Sequence, residues 1–199
     1  ELKPINRNFI KDAMKVSCLG LKCLENKKHL QEYNPKNPKF KPELVLDLLE
    51  KEGEHPEKVM KDFAIWIIKN TKAFEGVFNK QPNLMVTGGS DTHLMVLDTY
   101  KTLGSTGKDA EIMLEGIGVL TNRQVVPGEQ LKPYIASGIR LGTSWITARG
   151  YSEEEAGIVA SVVLANLSDP VNQELQDKSR ELLHKLLAVK RDSDVWYEE

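Results

Sequence analysis

The sequence predicts an α+β fold, in which a small, mainly antiparallel sheet packs against helices. Two observations predict this fold. Apolar residues recur at helical spacing over 57–78, 152–167 and 170–187. Short strand-like apolar runs lie in pairs between the helical segments. The predicted order is helix, strand, strand, helix, strand, strand, helix, helix, and this order is typical of helices placed against one face of a sheet.

The N-terminal quarter differs from the rest of the chain. Residues 7–25 predict a helix with loose apolar periodicity. Residues 26–57 are rich in charge, and Pro35, Pro38 and Pro42 rule out a continuous helix there. We therefore predict two parts: an N-terminal helical segment over 1–56 with a charged Pro/Lys insertion, and a small C-terminal domain over 57–199.

The first elements of the predicted domain are one helix and two strands. Apolar residues at steps of three and four predict an amphipathic helix over 57–78. Residues 84–86 and 93–97 are strand-like, and the glycine-rich segment 87–91 predicts a tight connection between them.

Further along the chain, helix starts carry capping patterns. Thr106 and Asp109 indicate a helix start, and the helix is expected to end at Gly116 or Gly118. Residues 119–120 and 135–139 are predicted as short strands.

Two helices are predicted to complete the domain. Ser152 and Glu155 form a capping box that predicts a helix to Leu167. Asp169 is predicted to cap the last helix, with Pro170 in its first turn.

Composition excludes several classes of function. The 199 residues carry a net charge of −2, so charge does not favour nucleic acid or an anionic membrane as a partner. The longest apolar stretch, 63–68, is too short to span a bilayer. Cys18 and Cys23 are five residues apart in a predicted helix, which disfavours a disulfide, and no histidine has metal-ligand spacing to them. We expect a cytoplasmic protein with reduced thiols and no metal site.

The segment 135–149 carries the clearest chemical signal. Arg140 ends an apolar run just before Gly142 and Thr143. A guanidinium is a planar fork that binds a carboxylate through two parallel hydrogen bonds. A strand end followed by glycine lets this side chain reach into a cleft, so Arg140 is a candidate carboxylate-binding residue. The alternative is a structural ion pair.

Four stretches together resemble the C-terminal part of serine hydroxymethyltransferase (glycine hydroxymethyltransferase). This enzyme has the pyridoxal-phosphate fold-type I architecture, in which the C-terminal part forms a small domain. The stretches occur in the family's order and are 63–74, 86–94 (VTGGSDTHL), 121–127 (TNRQVVP) and 135–149 (IASGIRLGTSWITAR).

The resemblance implies reversible transfer of a hydroxymethyl group from serine to tetrahydrofolate, with pyridoxal phosphate as cofactor. It implies that Arg140 binds the substrate carboxylate, that Gln124 lies where the family has a folate-contacting asparagine, and that the complete enzyme is a homodimer or homotetramer. The family's cofactor lysine follows a run of threonines and a histidine, and no such run occurs in this sequence. No catalytic residue is therefore assigned here, and the large cofactor-binding domain is expected as a partner.

Two hypotheses remain open. The chain is either the C-terminal fragment of a serine hydroxymethyltransferase, inactive alone, or a non-catalytic binding or assembly module that retains the small-domain fold. Arg140 favours the first. Gln124 and Trp145 differ from the residues expected in the family and favour the second. Asp91 and His93 could suggest acid–base chemistry, but a turn and a strand start favour structural roles.

Overall fold

The computed structural model describes residues 56–86 and 88–189, with side chains from residue 61 onward. The predicted helix over 7–25, nearly all of the segment 26–57 and both cysteines lie outside the described residues. The described elements are α1 (Pro56–Phe78), β1 (Leu94–Asp98), α2 (Thr99–Leu103), α3 (Gly107–Gly116), β2 (Asn122–Gln124), β3 (Gly138–Gly142), α4 (Ser144–Ala148), α5 (Glu153–Ser168) and α6 (Gln173–Ala188). This confirms the predicted α+β class.

The chain divides into two compact units. Among the described residues, 56–66 and 146–150 belong to the first unit, and 67–145 and 151–189 belong to the second. The sheet and helices α2, α3, α5 and α6 lie wholly within the second unit. None of the described helices has the length and apolar character needed to cross a membrane.

The sheet has three antiparallel strands in the order β1-β3-β2. One face is buried, because alternate side chains of the two longer strands (Met95, Leu97, Ile139 and Leu141) are at most 6% exposed. Helix α3 packs against β2 and β3, and α5 packs against α3. Side chains two apart along a strand share a face, so the intervening residues line the opposite, open face.

The capping signals at Thr106 and Ser152 are confirmed. The Thr106 side chain accepts a hydrogen bond from the Asp109 backbone N–H, and α3 begins at the next residue. Ser152 and Glu155 form both hydrogen bonds of the capping box that opens α5. Each cap satisfies helix N–H groups that lack partners within the helix, which is why these starts are readable from sequence alone.

Of two short strand predictions, one is reduced to a bridge and the other is wrong. The segment 84–86 pairs antiparallel with β1 through an isolated bridge between Met85 and Leu97. The Val86 N–H donates to the Val96 carbonyl and the Asp98 N–H to the Leu84 carbonyl, and the chain then turns where the Gly88 N–H donates to the Met85 carbonyl. The segment 119–120 is no strand: the Val119 N–H donates to the Leu114 carbonyl and closes the end of α3. Leu120 is 82% exposed.

The strand predicted over 135–139 instead occupies Gly138–Gly142. The first three residues of the predicted strand are held by α2 and α3. The Ile135 and Ala136 carbonyls accept hydrogen bonds from the first N–H groups of α3, and the Ser137 carbonyl accepts from the Tyr100 N–H in α2. Ala136 also has a positive φ of 56°, which interrupts an extended backbone.

The last helix begins later than predicted. Asn172, and not Asp169, is its N-cap, since the Asn172 side chain accepts from the Leu175 N–H at 3.0 Å. Residues 169–172 form a turn instead, and Val171 is 88% exposed rather than part of the apolar stripe. Two short helices, α2 and α4, were not predicted.

Candidate functional site

The open face of the sheet brings the two predicted site residues together. Arg140 in β3 lies directly opposite Val96 in β1 and Asn122 in β2. Gln124 lies opposite Gly138, one row further along the same face. Residues in diagonal positions on adjacent antiparallel strands are typically about 7–8 Å apart. Arg140 and Gln124 are therefore neighbours on one exposed surface.

Arg140 is exposed, and Asn122 holds one side of its guanidinium. The Arg140 Nε–H donates to Asn122 Oδ1 at 3.2 Å, and the Asn122 Nδ2 group donates to the Arg123 carbonyl at 3.4 Å. Within the part of the chain that the structure describes, no group accepts from either terminal nitrogen of Arg140. A guanidinium with both terminal nitrogens available can bind a carboxylate through two parallel hydrogen bonds.

Gln124 is half-buried at the end of β2. Its side-chain Nε2 donates to the Val125 carbonyl at 3.2 Å. That contact uses one amide hydrogen, and no described residue bonds to the amide oxygen. An amide carries two donors and one acceptor, so Gln124 retains the capacity to donate and to accept at this surface.

The loop between β2 and β3 is held by Glu129. Its carboxylate accepts from the Leu131 N–H at 2.8 Å, the Ser137 N–H at 2.9 Å, the Val126 N–H at 3.4 Å and the Ser137 hydroxyl. Burial alone would raise the pKa of Glu129, but these four donors outweigh it and lower that pKa to about 2. Glu129 thus ties the loop to the residue immediately before β3.

Removing the Glu129 charge is expected to destabilise the chain. A folded-state pKa near 2, against the usual 4.5, means that the stabilisation is fully present above pH 4.5 and is lost as the pH falls towards 2. With allowance for solvent screening, Glu129→Gln should lower the free energy of unfolding at pH 7 by about 1–2 kcal/mol. Urea unfolding at several pH values measures this, and the difference from the parent should shrink in acid.

Glu115→Gln is the matched control, because Glu115 is an exposed carboxylate on α3. It should change stability by less than about 0.5 kcal/mol. A Glu129→Gln protein as stable as the parent at pH 7 would show that the four contacts contribute nothing net.

Four of the described lysines form ion pairs with carboxylates, which does not favour the neutral amine that a Schiff base with pyridoxal phosphate needs. A lysine that forms a Schiff base needs a lowered pKa so that its amine is neutral. The hydrogen bond to Glu75 instead raises the pKa of Lys72, and Lys69, Lys178 and Lys185 form exposed ion pairs with glutamates. Across the described ranges, no cluster of three metal-ligating side chains occurs.

Asp91, His93 and Trp145 are the other residues weighed from the sequence, and among the described residues none of the three forms a hydrogen bond or ion pair with Arg140 or Gln124. Asp91 is exposed and 3.5 Å from the Lys72 amine, and the His93 carbonyl accepts from the Thr143 N–H at 3.0 Å. Trp145 is 54% exposed in α4. Neither Asn122 nor Glu129 was predicted from the sequence as a site residue. Asn122 is two residues before Gln124, and residues two apart on a strand share a face. This spacing is the signal that places Asn122 on the same face as the predicted site residue Gln124.

Comparison with known proteins shows which family the chain resembles. The family model described as serine hydroxymethyltransferase matches residues 51–163. The serine hydroxymethyltransferase of Lactobacillus acidophilus is 40% identical over 126 residues, 63% of this chain and 30% of that protein. Those of Limosilactobacillus fermentum (38% over 134 residues, 67% and 32%) and Mycoplasma mycoides (40% over 122 residues, 61% and 30%) are similar.

The chain spans about a third of the length of the curated relatives that it matches. The family match nevertheless covers more than half of the chain, including the whole three-stranded sheet with Arg140, Gln124 and the loop held by Glu129. The chain belongs to the serine hydroxymethyltransferase family.

Proposed function

We propose that this chain supplies the amino-acid carboxylate site and a folate-facing wall to a pyridoxal-phosphate-dependent serine hydroxymethyltransferase. The observation that carries the proposal is Arg140, exposed on the open sheet face, with both terminal nitrogens unbonded to any described residue. Gln124 lies one row away and offers an amide to a second, polar ligand. The reaction would interconvert serine and glycine, with tetrahydrofolate as the one-carbon acceptor.

The cofactor and its lysine would come from a large domain, because the family's run of threonines followed by a histidine and the cofactor lysine does not occur in this sequence. Pyridoxal phosphate supplies carbanion stabilisation when bound. The residues of this chain would bind and orient the substrates: Arg140 holds the carboxylate, and Gln124 contacts the folate ring. A cytoplasmic location and assembly as a homodimer or homotetramer belong to the same proposal.

A second function is a non-catalytic binding or assembly module that retains the small-domain fold. The exposed Trp145 and the longer amide of Gln124 favour it, since both differ from the residues expected in the family. The two functions differ in one consequence. Only the first requires that a ligand carboxylate bind Arg140.

Complementation distinguishes the two functions. The chain is co-expressed with the large domain of the Lactobacillus acidophilus relative, and serine-dependent formation of glycine is measured with pyridoxal phosphate and tetrahydrofolate present. Activity is expected from the pair and not from either part alone. The control pair carries Arg140→Ala and should associate equally well but lose activity. An associated yet inactive parent pair would favour the assembly module.

A further inference from the structure

We propose that Asn122 is a positioning residue, which orients the Arg140 guanidinium so that its two terminal nitrogens face the ligand carboxylate. The inference rests on the proposed function of Arg140. It adds a residue on the neighbouring strand that acts through Arg140 and does not itself contact the ligand.

The sheet register places the two residues together. Asn122 and Arg140 are directly opposite across the β2–β3 pairing, so their side chains leave the same face. Asn122 Oδ1 accepts from Arg140 Nε at 3.2 Å. The amide of Asn122 is oriented in turn, because its Nδ2 donates to the Arg123 carbonyl at 3.4 Å.

The occupied Nε selects one mode of carboxylate binding. A guanidinium can present Nε with one terminal nitrogen, or both terminal nitrogens together, because its five N–H donors lie in one plane. Asn122 uses the Nε–H and thereby leaves the pair of terminal nitrogens for the ligand. The planar fork makes the contact bidentate only when its orientation is correct, so an orienting contact should improve affinity.

The chemistry of the amide also matters. An asparagine oxygen accepts the hydrogen bond without adding a negative charge, so the guanidinium keeps its full charge for the ligand. A carboxylate at position 122 would hold Nε equally well in geometry but would compete with the ligand for the same cation. The structure therefore favours asparagine over aspartate for this role.

The hydrogen bond itself is tested in the chain alone. In Asn122→Ala, the Arg140 Nε–H should exchange with solvent faster than in the parent, as measured by ¹⁵N-resolved NMR. Asn79→Ala is the matched control, since Asn79 is exposed in the turn after α1 and distant in sequence from the site. An unchanged exchange rate in Asn122→Ala would overturn the contact and the inference with it.

The effect on binding is tested in the complex with the large domain, by equilibrium dialysis of labelled L-serine. Asn122→Ala should weaken serine binding about fivefold, which corresponds to the net contribution of one typical hydrogen bond. Asn122→Asp should weaken it further. In an Arg140→Lys background, Asn122→Ala should have almost no effect, because lysine has no Nε–H for Asn122 to hold.

Four outcomes distinguish the positioning role from the alternatives. Strong non-additivity with Arg140→Lys supports the positioning role, since a merely structural residue would weaken binding in both backgrounds. Equal losses in both backgrounds, or no loss in Asn122→Ala while Arg140→Ala loses serine, would overturn the inference and leave the proposed function standing. If Arg140→Ala binds serine as the parent does, the proposed function itself fails.

Discussion

Replacing Gly138 by alanine is expected to cause the largest loss of stability among single substitutions in the sheet. A Cβ at this position would lie 2.7 Å from Val126 Cγ1 and closer still to the Leu97 carbonyl oxygen. The carbonyl belongs to the backbone of the adjacent strand and cannot rotate away. The free energy of unfolding should therefore fall by about 3 kcal/mol or more. The melting temperature should fall by roughly 6–12 °C for a chain of this size.

Gly157→Ala is the control for Gly138→Ala. Gly157 lies inside α5, and a Cβ there meets nothing within 4 Å. Alanine in a helix interior should stabilise by about 0.5–1 kcal/mol relative to glycine. Thermal and urea unfolding of the two variants measure both effects. If Gly138→Ala has the same melting temperature as the parent, the backbones of β1 and β3 are not close enough at Gly138 to exclude a Cβ.

Arg140→Ala is expected to abolish most serine affinity while leaving the fold intact. The side chain is exposed, and the Nε–Asn122 contact is its one hydrogen bond among the described residues. The Arg140 side chain is therefore expected to contribute little to folding and mainly to the binding of the ligand carboxylate. Loss of a charge-assisted bidentate contact typically costs about 2–5 kcal/mol of binding free energy. Arg140→Lys keeps the charge but loses the two-point contact, so it should also bind poorly.

The Arg140 measurements use the complex with the large domain for serine affinity and the chain alone for thermal unfolding. Both variants should melt within about 2 °C of the parent, as is usual for exposed positions. If Arg140→Ala unfolds the chain and Arg140→Lys binds serine normally, Arg140 is a structural residue and the assembly module becomes the better function.

Long helices were predictable because their signals are local. The amphipathic run of α1 and the caps at Thr106 and Ser152 depend on residues within one or two turns. The short strands were less predictable. Residues 135–137 have strand-like composition, yet their carbonyls accept hydrogen bonds from α2 and α3, which are distant in sequence. The local sequence of 135–137 does not show that these carbonyls bond to helices and not to a neighbouring strand.

The individual site residues were also predictable from the sequence, but their arrangement was not. Arg140 was predicted from the chemistry of its own segment, an arginine just before Gly142 and Thr143, and Gln124 was predicted from the resemblance of the segment 121–127 to the family. Their proximity was not predictable, because it depends on the register between β2 and β3. Glu129 was missed for a related reason: three of its four donors belong to Leu131 and Ser137, so its role appears only when the loop is folded.

The sequence by itself determined the fold class, the family and the type of side chain at the site, because helical periodicity, caps and motifs are properties of neighbouring residues. Only the tertiary structure decided which strands pair, that Arg140, Asn122 and Gln124 share one open face, and that a single carboxylate holds the loop beside them. The physical reason is that strand pairing depends on contacts between separate strands, whose free energies no local pattern encodes. The hydrogen bonds of Glu129 are local in sequence, but they form only when the loop between β2 and β3 has folded around the carboxylate.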